Sequence, residues 1–155
     1  MFGALRKFWH LDWPDRLLLA ESVGSLALAS LAIAFLPFRT VARIASAPTR
    51  TPPPDDQART TLDRIRWSIM AASARVPWRT VCFQEGLAAH WMLWRRGMPS
   101  ILYYGAALST DAELATHVWV RSGAFDMVGC ETASDYAVLA TFPTTDALRA
   151  KSARA

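Results

Sequence analysis

The sequence of 155 residues predicts an α+β fold in which apolar helices come first and a short antiparallel sheet follows. Helical spacing and capping signals run from Pro14 to Gly97. Beyond Gly97 the pattern changes to two runs of strand formers, Ile101-Leu-Tyr-Tyr-Gly and Leu114-Ala-Thr-His-Val-Trp-Val-Arg, whose residue types suit paired strands. A composition of 52% hydrophobic and 19% charged residues allows one buried core. The many tryptophans and prolines argue against disorder, and no internal repeat is visible.

The first helix is expected to start at Pro14, with Asp12 as its cap, and to run to Leu36. Val23 to Phe38 is almost wholly apolar, but Glu21 precedes it, Ser25 and Ser30 interrupt it, and its length only approaches a bilayer span. A buried or membrane-surface helix is therefore expected ahead of a spanning one, and Pro37 should end it. Phe38 to Ile44 places Arg39 and Arg43 at i, i+4, the pattern of a short amphipathic helix whose arginines suit headgroups or water equally. Ala47 to Ala58, with Pro48, Pro52, Pro53 and Pro54, reads as an extended connector. Thr60 to Ala74 returns to helical spacing, with Leu62, Ile65, Ile69 and Met70 on one side. The expected division is a helical amino-terminal segment (1–50), a connector (51–58), a core (59–143) and a polar tail (144–155).

A net charge of +4 suits an acidic peptide, a nucleic acid or an anionic membrane surface. The arginines are scattered without the aromatic-basic pattern of a nucleic-acid module, so no nucleic-acid partner is expected. Cys82 and Cys130 are far apart and form no CxxC pair, which points to neither a zinc site nor a disulfide framework. No cofactor or metal is expected. A reducing cytoplasm is the expected compartment, since Met1 to Trp13 lacks the pattern of a secretory signal, with membrane association through the amino-terminal helix left open.

The chemistry-bearing segment begins after Pro77. Trp78 to Gly97 reads as a helix that closes on Arg95, Arg96 and Gly97, which puts Cys82 in its first turns. Free amides and partial positive charge at a helix start favour a thiolate. Cys82, Gly86, Ala89 and Leu93 would also make a plain packing stripe, so a nucleophile requires a placed base. On the second strand His117, Trp119 and Arg121 share one face, while Val118 and Val120 point the other way into a core. With Ser122-Gly123 as a two-residue turn, Asp126 lies opposite Trp119 and diagonal to His117, close enough to orient the imidazole; a three-residue loop would turn it to the other face. A hydrogen-bonded structural histidine at a strand edge is an equal reading of His117 by spacing. His90 and His10 are reserve candidates.

Trp78 with Cys82, then Trp91-Met-Leu-Trp-Arg-Arg-Gly-Met-Pro, Tyr103-Tyr-Gly and Thr116-His-Val-Trp-Val, in that order, resemble the leader peptidases of lasso peptide biosynthesis over roughly residues 65 to 142. The resemblance implies a papain-like, transglutaminase-type fold, with the cysteine helix packed on a sheet that bears the histidine. It implies Cys82 as nucleophile, His117 as base and Asp126 as the acid, with Glu131 and Asp135 behind it. The implied reaction is cleavage at the leader-core junction of a precursor peptide through an acyl-enzyme, with amides at the helix start stabilising the oxyanion. Non-catalytic peptide holding and acyl transfer to an amine are the alternatives. The implied partners are the precursor peptide, a separate leader-recognition protein and an ATP-dependent lasso cyclase.

Overall fold

The computed structural model describes residues 11–47, 55–108 and 113–143. Its helices are α1 (Trp13–Phe35), α2 (Phe38–Ala45), α3 (Asp55–Ser73) and α4 (Cys82–Arg95), followed by β1 (Ile101–Leu108), β2 (Leu114–Ser122), β3 (Phe125–Val128) and β4 (Ala137–Phe142). A short 3-10 turn, Ala133–Asp135, links the last two strands. The strands form one sheet in the order β3-β2-β1-β4 with antiparallel neighbours. This is the expected helix-on-sheet α+β arrangement, with the apolar helix at the amino-terminal end. The tail at 144–155 and His10 lie outside the described residues.

Proline punctuates α1 at both ends. At its start the Asp12 carbonyl accepts from the Asp15 and Arg16 amides at 3.0 and 3.1 Å, whereas the Asp12 side chain makes no capping bond. At its end Leu36 is extended, as a residue before proline must be. The serines explain how so apolar a helix packs. Ser22 is fully buried and its hydroxyl lies 2.8 Å from that of Ser68 on α3, which in turn donates to the Ile65 carbonyl. Ser25 is buried beside it and accepts from Arg95 of α4. Buried hydroxyls paired this way cost little and fix one helix against its neighbours. Leu18, Leu26 and Ala29 fill the remaining inner face.

Two expectations about α3 are corrected. The helix begins at Asp55, inside the stretch expected to be connector, because the proline run ends at Pro54 and nothing after it opposes a helix. Leu62, Ile65, Ile69 and Ala72 form its buried stripe, while Met70 is exposed. Met70 is five residues from Ile65, about 140° around the helix at 3.6 residues per turn, and so it leaves the core face.

The core is enclosed by the inner faces of α1, α2, α3 and α4 and by one face of the sheet. Val118 and Val120 of β2 project onto α4, and a side-chain carbon at Gly86 would stand 2.7 Å from a Val118 methyl. Only glycine permits that helix-to-strand distance. The turn after α4 is left-handed at Gly97, with φ 71, and the Met98 amide returns to the Leu93 carbonyl, an arrangement that ends helices where glycine is available. Phe38, Phe83 and Tyr104 meet with ring centroids 6.1 to 6.5 Å apart, joining α2, α4 and β1.

Candidate active site

Cys82 is the first residue of α4, preceded by an extended Val81. The Val81 amide donates to the Gln84 side chain at 3.1 Å, and the helical ladder begins with the Glu85 amide on the Val81 carbonyl at 3.2 Å. The first-turn amides of a helix have no intrahelical acceptors and point away from its start. The half-buried Cys82 packs at the rim of the core beside Phe83. Its thiol thus sits where developing negative charge meets amide dipoles.

His117 is held on β2 by contacts that determine its tautomer. Its Nε2 lies 2.7 Å from the Gly129 carbonyl oxygen, which can only accept, so Nε2 carries the proton and Nδ1 of the neutral ring keeps a lone pair. Thr132 Oγ1 stands further off, at 3.4 Å. The ring stacks on Trp119 at 6.0 Å and meets Tyr136 at 5.0 Å. Trp119 lies parallel to Tyr103 at 5.4 Å and over Gly105, where an added carbon would stand 2.8 Å from the indole. His117 therefore belongs to an aromatic layer on the face of β2 opposite to Val118, and the segment from Gly129 to Tyr136 closes over it.

The β2–β3 hairpin differs from the expected register. Ser122 pairs with Phe125, so the turn is Gly123-Ala124, with Gly123 at φ 58. A glycine with positive φ in the first turn position satisfies a tight hairpin better than Ser122 could. Asp126 consequently pairs with Arg121, not Trp119, and accepts from Arg121 Nε at 2.7 Å. Arg121 is four residues along β2 from His117, about 13 Å at the usual strand rise. A bulge between Val120 and Arg121 then lets Val128 pair with Val120, and beyond it the chain leaves the ladder at Gly129. Glu131 pairs with Arg66 at 3.2 Å, and Asp135 accepts from Ser134. None of the three acids is hydrogen-bonded to His117, and His117 and Cys82 share no hydrogen bond.

The structure brings the elements that carry Cys82 and His117 together but not their side chains, because α4 packs on the Val118 face of β2 and His117 projects from the other. Gly86, one helical turn after Cys82, contacts Val118, the neighbour of His117. The remaining groups are held in other roles. Cys130 donates to the Val120 carbonyl at 3.3 Å, and burial raises its pKa above the usual thiol value. His90 is buried, with Nε2 donating to the Ala45 carbonyl at 2.7 Å and Nδ1 accepting from Ser100 at 2.9 Å. Both its nitrogens are satisfied, and desolvation lowers its pKa. The Gly129 carbonyl escaped sequence reasoning because a backbone acceptor has no side-chain signature; the glycine was its only trace.

A helix that starts on a cysteine and packs on an antiparallel sheet that carries a histidine is the α+β arrangement of this chain. The family model of the transglutaminase-like superfamily matches residues 25–141, and the chain belongs to that superfamily. The match begins within α1 and ends within β4, so it takes in the helix-on-sheet unit. This membership places the chain among folds that carry cysteine-protease and acyltransferase chemistry. No curated protein and no solved structure matches the chain significantly.

Proposed function

We propose that this protein is a cysteine peptidase that removes the leader from a ribosomally made precursor peptide, in the manner of the lasso peptide leader peptidases. The observation that carries the reading is Cys82 at the first residue of α4, with α4 seated by Gly86 on the strand that bears His117. In this reading the Cys82 thiolate attacks the carbonyl at the leader-core junction, and the first-turn amides stabilise the oxyanion. The imidazole takes the thiol proton on Nδ1 and passes it to the leaving amine; water then releases the acyl group. The Gly129 carbonyl serves as the orienting group, because its bond to Nε2–H keeps Nδ1 unprotonated in the neutral ring. A backbone acceptor sets the tautomer but balances less of the imidazolium charge than a carboxylate does. A separate leader-recognition protein and an ATP-dependent cyclase would be partners in this pathway.

A specific observation favours a second reading. His117 is partnered by Gly129, Trp119 and Tyr136 and makes no hydrogen bond to Cys82, which suits a subunit that holds a peptide without cutting it. Because the His117 ring projects from the face of β2 opposite to Val118 and α4, the peptidase reading requires the ring or the start of α4 to move before Nδ1 reaches the Cys82 thiol. The experiment that separates the two is mass spectrometry of a leader-bearing precursor incubated without ATP with the full chain and its recognition partner, in parallel with Cys82→Ala and His117→Ala. A single cut lost in both variants supports the peptidase. Retained peptide binding with no cut supports the holding subunit, and a product mass that includes an added amine would identify an acyltransferase.

A further inference from the structure

From Leu17 to Phe38 every exposed residue is apolar. Leu17 and Leu31 are each 54% exposed, Leu28 56% and Phe35 79%, a degree of exposure unusual for side chains of this size when they run together along one face. The acidic groups of α1 are turned aside to the protein: Asp15 pairs with Arg64, and Glu21 with Arg95 and Arg96. At 1.5 Å per residue the helix extends roughly 34 Å, and the apolar face continues round Pro37 onto α2. There an open apolar groove of about 750 Å³ lies between Leu28, Leu31, Phe35, Ile44, Trp91 and Trp94. Arg39 and Arg43 follow, both exposed, with no ion pair among the described residues.

We propose that this face seats the protein on an anionic lipid surface, with α1 in the plane of the interface and Arg39 and Arg43 at headgroup level. Charge selects this occupant: the exposed apolar face has no exposed acid between Leu17 and Phe38 and runs into α2, where exposed Arg39 and Arg43 beside Phe38 and Ile44 make the amphipathic pattern of an interfacial helix. The helix is long and apolar enough to cross a bilayer, but its inner face carries the buried Ser22 and Ser25 and the Glu21 ion pairs. Crossing would strip those groups of their partners, so the helix lies on the membrane. This inference does not depend on the catalytic reading.

The test is sedimentation of the full chain with vesicles of phosphatidylcholine alone and of phosphatidylcholine mixed with phosphatidylglycerol, at low and high salt. The expected result is binding to the mixed vesicles, release by high salt or by carbonate, and loss of binding in Leu28→Glu/Leu31→Glu. Arg39→Gln and Arg43→Gln should each weaken binding about fivefold, the effect of one cation near a charged surface. All these positions are solvent-exposed, and an unchanged melting transition confirms that the variants fold. Equal binding to neutral vesicles with no effect of the arginine variants overturns the proposal. Resistance to carbonate extraction also overturns it, in favour of a span, and failure to bind either vesicle with concentration-dependent dimers assigns the face to a second copy.

Discussion

Gly86 sets the distance between the cysteine helix and the histidine strand, and replacing it with alanine tests that assignment. An alanine carbon at this position would stand 2.7 Å from Val118 Cγ1 and 3.6 Å from Val120 Cγ2. The first distance is inside van der Waals contact, and Val118 is a stiff β-branched side chain, so α4 must move by several tenths of an ångström. Overpacking of this kind costs about 1–3 kcal/mol. Glycine to alanine inside a helix returns about 1 kcal/mol. The net expectation for Gly86→Ala is a loss of roughly 1 kcal/mol by urea denaturation. The decisive measurement is the double-mutant cycle with Val118→Ala, which removes the methyl that the new carbon meets. Alanine at 118 should relieve the clash, and the two substitutions should couple by at least about 1 kcal/mol in the favourable direction. An additive cycle, or a Gly86→Ala protein more stable by the full helix-propensity gain, would refute the close approach and the placement of Cys82 that depends on it.

Other outcomes follow from the same contacts. Asp126→Asn breaks an exposed pair with Arg121 and should change stability by less than about 1 kcal/mol; cleavage should continue at close to the full rate, whereas a tenfold or greater loss would return the orienting role to that carboxylate. Burial holds the pKa of His90 below its ordinary 6.5, so as pH falls through that value the unfolded chain binds a proton that the folded one resists. Stability due to neutral His90 is fully present above 6.5 and declines below it. Urea midpoints at pH 7.5 and 5.5 should show that fall, and His90→Gln should flatten it. Cys130 should react with iodoacetamide more slowly than Cys82 at pH 8, because burial raises its pKa, and Cys130→Ser should leave cleavage intact; loss of cleavage there with the fold preserved would make Cys130 the candidate nucleophile.

The helices and strands were legible because their signals are local. Pro14 and Pro37 bound α1, Gly97 ends α4, and the alternation at Val118 and Val120 gives the core face of β2. Register was less legible. Ser122-Gly123 and Gly123-Ala124 are adjacent choices of turn, yet the shift moves Asp126 from Trp119 to Arg121. A one-residue change in a hairpin alters every cross-strand partner. The bulge that follows depends on how Met127 and Val128 both reach the core, a tertiary fact with no local marker. Met70 lies off the buried stripe for a related reason, since apolar character alone does not tell which residues face the core. The helical period places Ala72 there instead.

Three glycines bring their surroundings close to β2. Gly86 brings α4 against Val118, Gly105 admits the Trp119 indole, and Gly129, at φ 69, has its missing side-chain carbon 2.5 Å from the Val118 carbonyl and 3.3 Å from His117 Nε2. The strand that carries His117 is therefore approached from a helix, a neighbouring strand and a returning loop, each at a place where a side chain would intervene. A site works when its groups are held by rigid elements whose own packing is fixed, and these contacts supply that rigidity without an acid beside the imidazole. Gly129→Ala separates support from chemistry. It forces a left-handed residue and a backbone collision, so the carbonyl must move away from Nε2. If that carbonyl sets the tautomer, the pH profile of cleavage should change as well as its rate; a lower rate with an unaltered profile would make Gly129 a packing residue only.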